Sequence, residues 1–178
     1  MKTEFKAKFL QHINLKEREE GFTLIELLVV VIIIGILAAV ALPSLLNQAN
    51  KAKQVEARNN IGAMNRAQQA VYLEKQTFAS NMPSLGVGIP TATVNYQYGF
   101  EGASGTGVAN TASARKANLK PYSGLVWTQT IDNQSTTQAI LCEENDPSAA
   151  DGLTPPSQTA VTANATNTCG GNMTALGQ

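Results

Sequence analysis

Glu20-Gly21-Phe22-Thr23-Leu24-Ile25-Glu26-Leu27 opens the stretch that decides the fold. A charged leader stops there and an almost pure hydrocarbon run begins. From Leu27 to Leu42, sixteen residues carry no charged or strongly polar side chain. Extended to Phe22 and Leu46, the run makes about 25 residues, or roughly 37 Å of helix, enough to cross a bilayer if Glu26 lies near one interface. Its Ile and Val residues lie on every side of that helix, so all faces must be buried, in lipid or against other apolar helices. Glu26 is the anomaly, because a carboxylate at bilayer depth costs roughly 2.5–3.5 kcal/mol even on lenient insertion scales.

Working outward, the 178 residues have a formal net charge of zero, which argues against nucleic acid as a direct partner. Lys51, Lys53, Arg58, Arg66 and Lys75 alternate with Glu56 and Glu74 and read as a solvated, self-paired helix face. The sole histidine, His12, lies in the leader. No catalytic constellation and no metal-ligand spacing is present, so no enzyme activity, cofactor or metal is expected.

Three fates are open to the N-terminus. Ala39-Val40-Ala41 offers a secretory cleavage site, but residues 1–26 hold five basic and five acidic side chains, unlike a positive signal-peptide n-region. An uncleaved anchor is the second, and cations on both sides of the run leave its orientation open. The third is cleavage before the run.

The junction Gly21-Phe22-Thr23-Leu24-Ile25-Glu26, with the apolar run behind it, resembles the class III leader of type IV pilins and pseudopilins. The resemblance covers residues 16–78, and beyond them only a general pattern. It implies removal of a leader, residues 1–21, by a prepilin peptidase cutting between Gly21 and Phe22, with N-methylation of Phe22. It implies that Glu26 neutralises the Phe22 amine of a neighbouring subunit in a helical homo-oligomer. In similar pilins a Gly and a Pro at the offsets of Gly35 and Pro43 let the intervening helix lose order, which implies flexibility there. The implied partners are the peptidase and the inner-membrane assembly machinery. The implied location is the inner membrane as a single-pass precursor, then an extracellular pilus.

Beyond Pro43 the pattern turns amphipathic. Ile61, Met64, Ala67 and Val71 form a stripe, with Gln, Asn, Lys and Arg on the other faces. Residues 22–46 are thus expected as the transmembrane or filament-core helix and 47–78 as its amphipathic half. The whole helix, about 55 residues, should end near Lys75–Thr77. Residues 79–178 are expected to form a small antiparallel sheet of three or four strands, giving an α+β fold. Strands are predicted at Thr93–Phe100, Pro121–Thr128 and Thr137–Cys142. Glu101–Gly107 reads as a loop, Asn133–Ser135 as a turn, and everything after Glu143 as strand-free. Tyr96, Tyr98, Phe100, Tyr122 and Trp127 are expected between sheet and helix.

Cys142 and Cys169 form a disulfide if this region lies outside the cytoplasm, and stay reduced thiols if it does not. In the resembled family such a C-terminal loop is the variable surface. Tyr96–Phe100, Gly124–Trp127 and Leu141–Glu144 look closest to cyanobacterial major pilins. Glu143, Glu144, Asp146 and Asp151 could bind calcium, as in secretion pseudopilins; a solvated acidic loop is the favoured reading. Asn164-Ala165-Thr166 and Asn172-Met173-Thr174 are read as chance matches to a glycosylation pattern. The expectation is a type IV pilus subunit, the major one, serving motility, adhesion and DNA uptake. The alternatives are a minor pilin or type II secretion pseudopilin, and a membrane-anchored extracytoplasmic binding protein.

Overall fold

The computed structural model describes residues 21–157 and 169–176. The leader expectation for residues 1–20 and the Asn164 acceptor pattern lie outside the described residues. The chain divides into two units at Leu45–Leu46.

Helix α1, Leu24–Lys75, supplies the first unit with its apolar part and the second with its amphipathic part. It begins two residues after Phe22 and ends at Gln76, which takes a left-handed φ of 56° and donates its N–H to Tyr72 O. It is the one described helix long and apolar enough to cross a membrane, with an 18-residue stretch of mean hydropathy 3.1.

In the second unit a one-turn helix, α2 (Met82–Leu85), follows. Asn81 caps it, and Gly86 ends it at φ 70°, a conformation glycine adopts without strain. Five antiparallel strands come next, in sheet order β1-β2-β3-β4-β5: β1 Tyr96–Glu101, β2 Gly107–Ala114, β3 Tyr122–Ile131, β4 Gln134–Glu144 and β5 Met173–Leu176. The β3–β4 turn is Asp132-Asn133, both at positive φ, the two-residue geometry whose twist suits a hairpin. Gln134 and Ser135, expected in that turn, already belong to β4.

The α+β architecture is therefore as expected, with two more strands than were located from sequence. β2 was missed because Gly107-Val108-Ala109-Asn110-Thr111-Ala112-Ser113-Ala114 has little β-propensity; burial of all eight residues holds it in the sheet. β5 corrects the strand-free reading after Glu143. Its four residues pair with Leu141–Glu144, a non-local contact that no local pattern announces.

The sheet alternates between two faces. One packs on α1, where Ala57, Ile61 and Met64 bury Tyr96, Tyr98 and Tyr122. The other carries Ala109, Leu125, Ile140 and Cys142 in a separate cluster. Trp127 joins this second cluster beside Cys169, so it does not lie between sheet and helix as expected. Period 2 along β3 decides this: Tyr122, Gly124 and Val126 face α1, while Ser123, Leu125 and Trp127 face away.

Candidate processing and assembly site

Gly21, Phe22 and Thr23 precede the helix, and Phe22 is exposed. The first helical bond runs from Leu27 N–H to Thr23 O at 3.3 Å, which makes Thr23 the N-cap. Thr23 and Glu26 form a capping box. The Glu26 carboxylate accepts from Thr23 N–H at 2.8 Å and from the Thr23 hydroxyl at 2.8 Å, and Thr23 Oγ1 accepts from Glu26 N–H at 3.4 Å. The carboxylate that the sequence reading assigned to a neighbour thus has a partner within its own chain. That reading missed Thr23, although the T-x-x-E spacing before an apolar run is a recognisable signal.

From Leu24 to Leu46 the large apolar side chains are exposed, each at about half or more of its surface. Gly35 and Pro43 sit inside unbroken helix. A Cβ at Gly35 would meet no described residue within 4 Å, so no described contact requires glycine there.

The second unit fastens its part of α1 by polar contacts that the amphipathic reading placed on the solvent side. Gln54, Asn65 and Gln68 are buried. The Gln68 carboxamide pairs with both backbone groups of Ala79, accepting its N–H at 2.9 Å and donating to its C=O at 2.8 Å. Asn110 donates to Asn65 Oδ1 at 2.8 Å and accepts from Gln68 at 3.3 Å, and Asn65 reaches Ile140 O at 3.2 Å. The missed signal is heptad spacing: Gln54, Ala57, Ile61, Met64 and Gln68 form one stripe once polar residues are admitted to it.

Glu143 ties three elements together. It accepts from Arg58 of α1, from Lys120 Nζ at 3.0 Å and from Tyr122 Oη at 2.9 Å. Burial opposes its charge, but the hydrogen bonds from Lys120, Tyr122 and Arg58 outweigh that and hold it below the usual carboxylate range. Burial, and then its hydrogen bond to the Glu143 carboxylate, raise the Tyr122 hydroxyl above the usual tyrosine value, although its bond from Arg58 opposes the rise.

The acidic residues weighed for calcium do not converge. Glu143 faces α1, Glu144 accepts from Ser157 N–H, Asp146 from Asn172, and Asp151 from Ala117 N–H and Lys116. Among the described residues no group of three or more His, Cys, Asp or Glu could hold a metal. Cys142 and Cys169 are joined as a disulfide, Cα to Cα 5.6 Å, on the face away from α1.

Residues 17–42 match the prokaryotic N-terminal methylation motif, and residues 54–170 match the family of type IV pilin-like G and H proteins. The type IV major pilin PilA of Myxococcus xanthus is 40% identical over 88 residues, 49% of this chain and 40% of that protein. The type II secretion system core protein G of Aeromonas hydrophila is 37% identical over 79 residues, 43% of this chain and 55% of that one. Fimbrial protein Q of Moraxella bovis is 33% identical over 128 residues, 64% of this chain and 80% of that protein. The match thus spans about half the length of the first two relatives and four fifths of the third. With a methylation motif over its N-terminus and a pilin family over most of the rest, the chain belongs to the type IV pilins.

Proposed function

We propose that this protein is the structural subunit of a type IV pilus, the major one, and has no enzymatic role. One observation carries the reading: a helix exposing only hydrocarbon from Leu27 to Leu42, with a single carboxylate at its start, inside a matched methylation motif. A lone chain leaves that surface in water, at a cost near 25 cal/mol per Å² of apolar area. Lipid covers it first and other copies of the same helix cover it afterwards.

A prepilin peptidase cuts between Gly21 and Phe22 and methylates the new amine. The mature chain then comprises the apolar helix 22–46, the amphipathic half 47–78 and a head, residues 79–178, bounded by the Cys142–Cys169 loop. Cleavage creates a cation at Phe22, and Glu26 of the adjacent subunit supplies its anion, which sets axial register. Gly35 and Pro43, both exposed among the described residues, give the packed helix room to extend. The subunit waits in the inner membrane, meets the assembly machinery there, and ends in a retractable surface filament used for motility, adhesion and DNA uptake.

The match to core protein G favours a second reading, a pseudopilin of a type II secretion system. Sheared surface fractions separate the two. A major pilin is the abundant band there, and Glu26→Val removes that band while leader removal continues. Undiminished filaments in that variant contradict the charge pairing, and a band absent from unaltered cells favours the pseudopilin.

A further inference from the structure

We infer that Thr23 is a positioning residue for leader cleavage: its capping box with Glu26 stops the helix short of the Gly21–Phe22 bond and keeps that bond in a conformation a peptidase can cut. The inference rests on the proposed processing site and adds a residue and a mechanism to it.

The hydrogen bonds decide it. If α1 continued upstream, Glu26 N–H would bond to Phe22 O, four residues back. Instead it points to Thr23 Oγ1 at 3.4 Å. Thr23 N–H would likewise be drawn into the preceding turn, and instead the Glu26 carboxylate takes it at 2.8 Å. The hydroxyl closes the box with its own bond to that carboxylate at 2.8 Å. Two of the N–H groups that would carry the helix across the junction, those of Thr23 and Glu26, are thus held by side chains. The first helical carbonyl is that of Thr23, so Gly21 and Phe22 stay outside the helix.

A peptide bond inside a helix is a poor substrate. Its C=O and N–H are tied to neighbouring turns, and the side chains around it block approach to the carbonyl carbon. A non-helical bond offers both groups to the enzyme, as extended peptides do in strand-addition complexes. Hydrolysis adds water across Gly21 C–Phe22 N, leaving a carboxylate on Gly21 and the amine on Phe22; the cap takes no part in the bond change. Phe22 is exposed and Gly21 has open space about its Cα, so nothing in the described chain shields the junction.

The box also lowers the cost of the Glu26 charge in an apolar setting, because two donors solvate the carboxylate before any neighbouring subunit arrives.

The test uses the full-length precursor in detergent micelles, prepilin peptidase, and the variants Thr23→Val, which keeps shape but loses the hydroxyl, and Thr23→Ser, which keeps the hydroxyl. The expected result is a fall of about fivefold in kcat/KM for Thr23→Val, the factor matching a typical N-cap loss, and near-normal cleavage of Thr23→Ser. Carbonyl chemical shifts of Gly21 and Phe22, recorded without peptidase, should be non-helical in the unaltered chain and in Thr23→Ser, and displaced toward helical values in Thr23→Val. Equal cleavage of the valine variant overturns the inference, as do helical shifts in the unaltered chain. Slower cleavage with unchanged shifts overturns it too, because the hydroxyl would then be read by the enzyme directly. If the unaltered precursor is not cut between Gly21 and Phe22, the processing reading fails, and the shifts alone decide whether the cap holds the junction open.

Discussion

Asn110 of β2 donates its amide N–H to Asn65 Oδ1 on helix α1, 2.8 Å away, with both residues buried. This bond joins a strand of small residues to the helix that packs on the same face of the sheet. Asn110→Ala should cost about 1–3 kcal/mol, because Asn65 and Gln68 each lose a buried partner. Adding Asn65→Ala should cost less than the sum of the two single changes, since the bond is already broken. Thermal unfolding of the full chain in detergent reads both values; strict additivity would mean that the two amides act independently.

Gly124 lies under the same contact. A Cβ there would collide with Asn65 Oδ1 and Ile61 Cγ2. Gly124→Ala should therefore destabilise by about 2–3 kcal/mol through overpacking and loss of the amide bonds. Gly35→Ala, where a Cβ meets nothing, should leave head unfolding unchanged. Equal effects at the two glycines would show that α1 does not approach the sheet this closely.

Glu143 makes stability depend on acid. Its folded pKa is depressed below the unfolded value of about 4.3, so its contribution is present above that pH and is lost as pH falls through the folded value. Unfolding temperature should drop more steeply below about pH 4.3 in the unaltered chain than in Glu143→Gln. Parallel curves for the two would remove Glu143 as the tie between Arg58, Lys120 and Tyr122.

The Cys142–Cys169 bond fastens the end of β4 to the segment leading into β5. Reduction should lower stability by roughly 3–4 kcal/mol and loosen β5 first, since that strand has only four residues to pair. Hydrogen exchange at Met173–Leu176, with and without reductant, measures it; equal protection would place the hold on β5 elsewhere.

The apolar helix, the methylation motif around its start and the cysteine pairing are legible because each is a local or compositional signal. EGFTLIEL is a local signal of eight residues, and the chain's two cysteines have only each other. The parts that were not legible depend on distant partners. β2 looks like a loop because its residues are small, and they are small because α1 lies close over it, as Asn110 and Gly124 record. Asn65 and Gln68 look like solvent residues until Ala79, Asn110 and Ile140 supply their bonds, and Gln54 is buried beside them on the same stripe. Trp127 suggests a place against the helix by its size, but period 2 from Tyr122 puts it on the opposite face. At the junction, Glu26 stands out in the sequence by its charge and Thr23 does not, although the two make one capping device.

The most direct test of the account is the mass of the N-terminal peptide from sheared surface filaments. The expected chain starts at N-methylated Phe22, with residues 1–21 absent. A filament subunit that starts at Met1, or at Leu42 after cleavage behind Ala41, would contradict it.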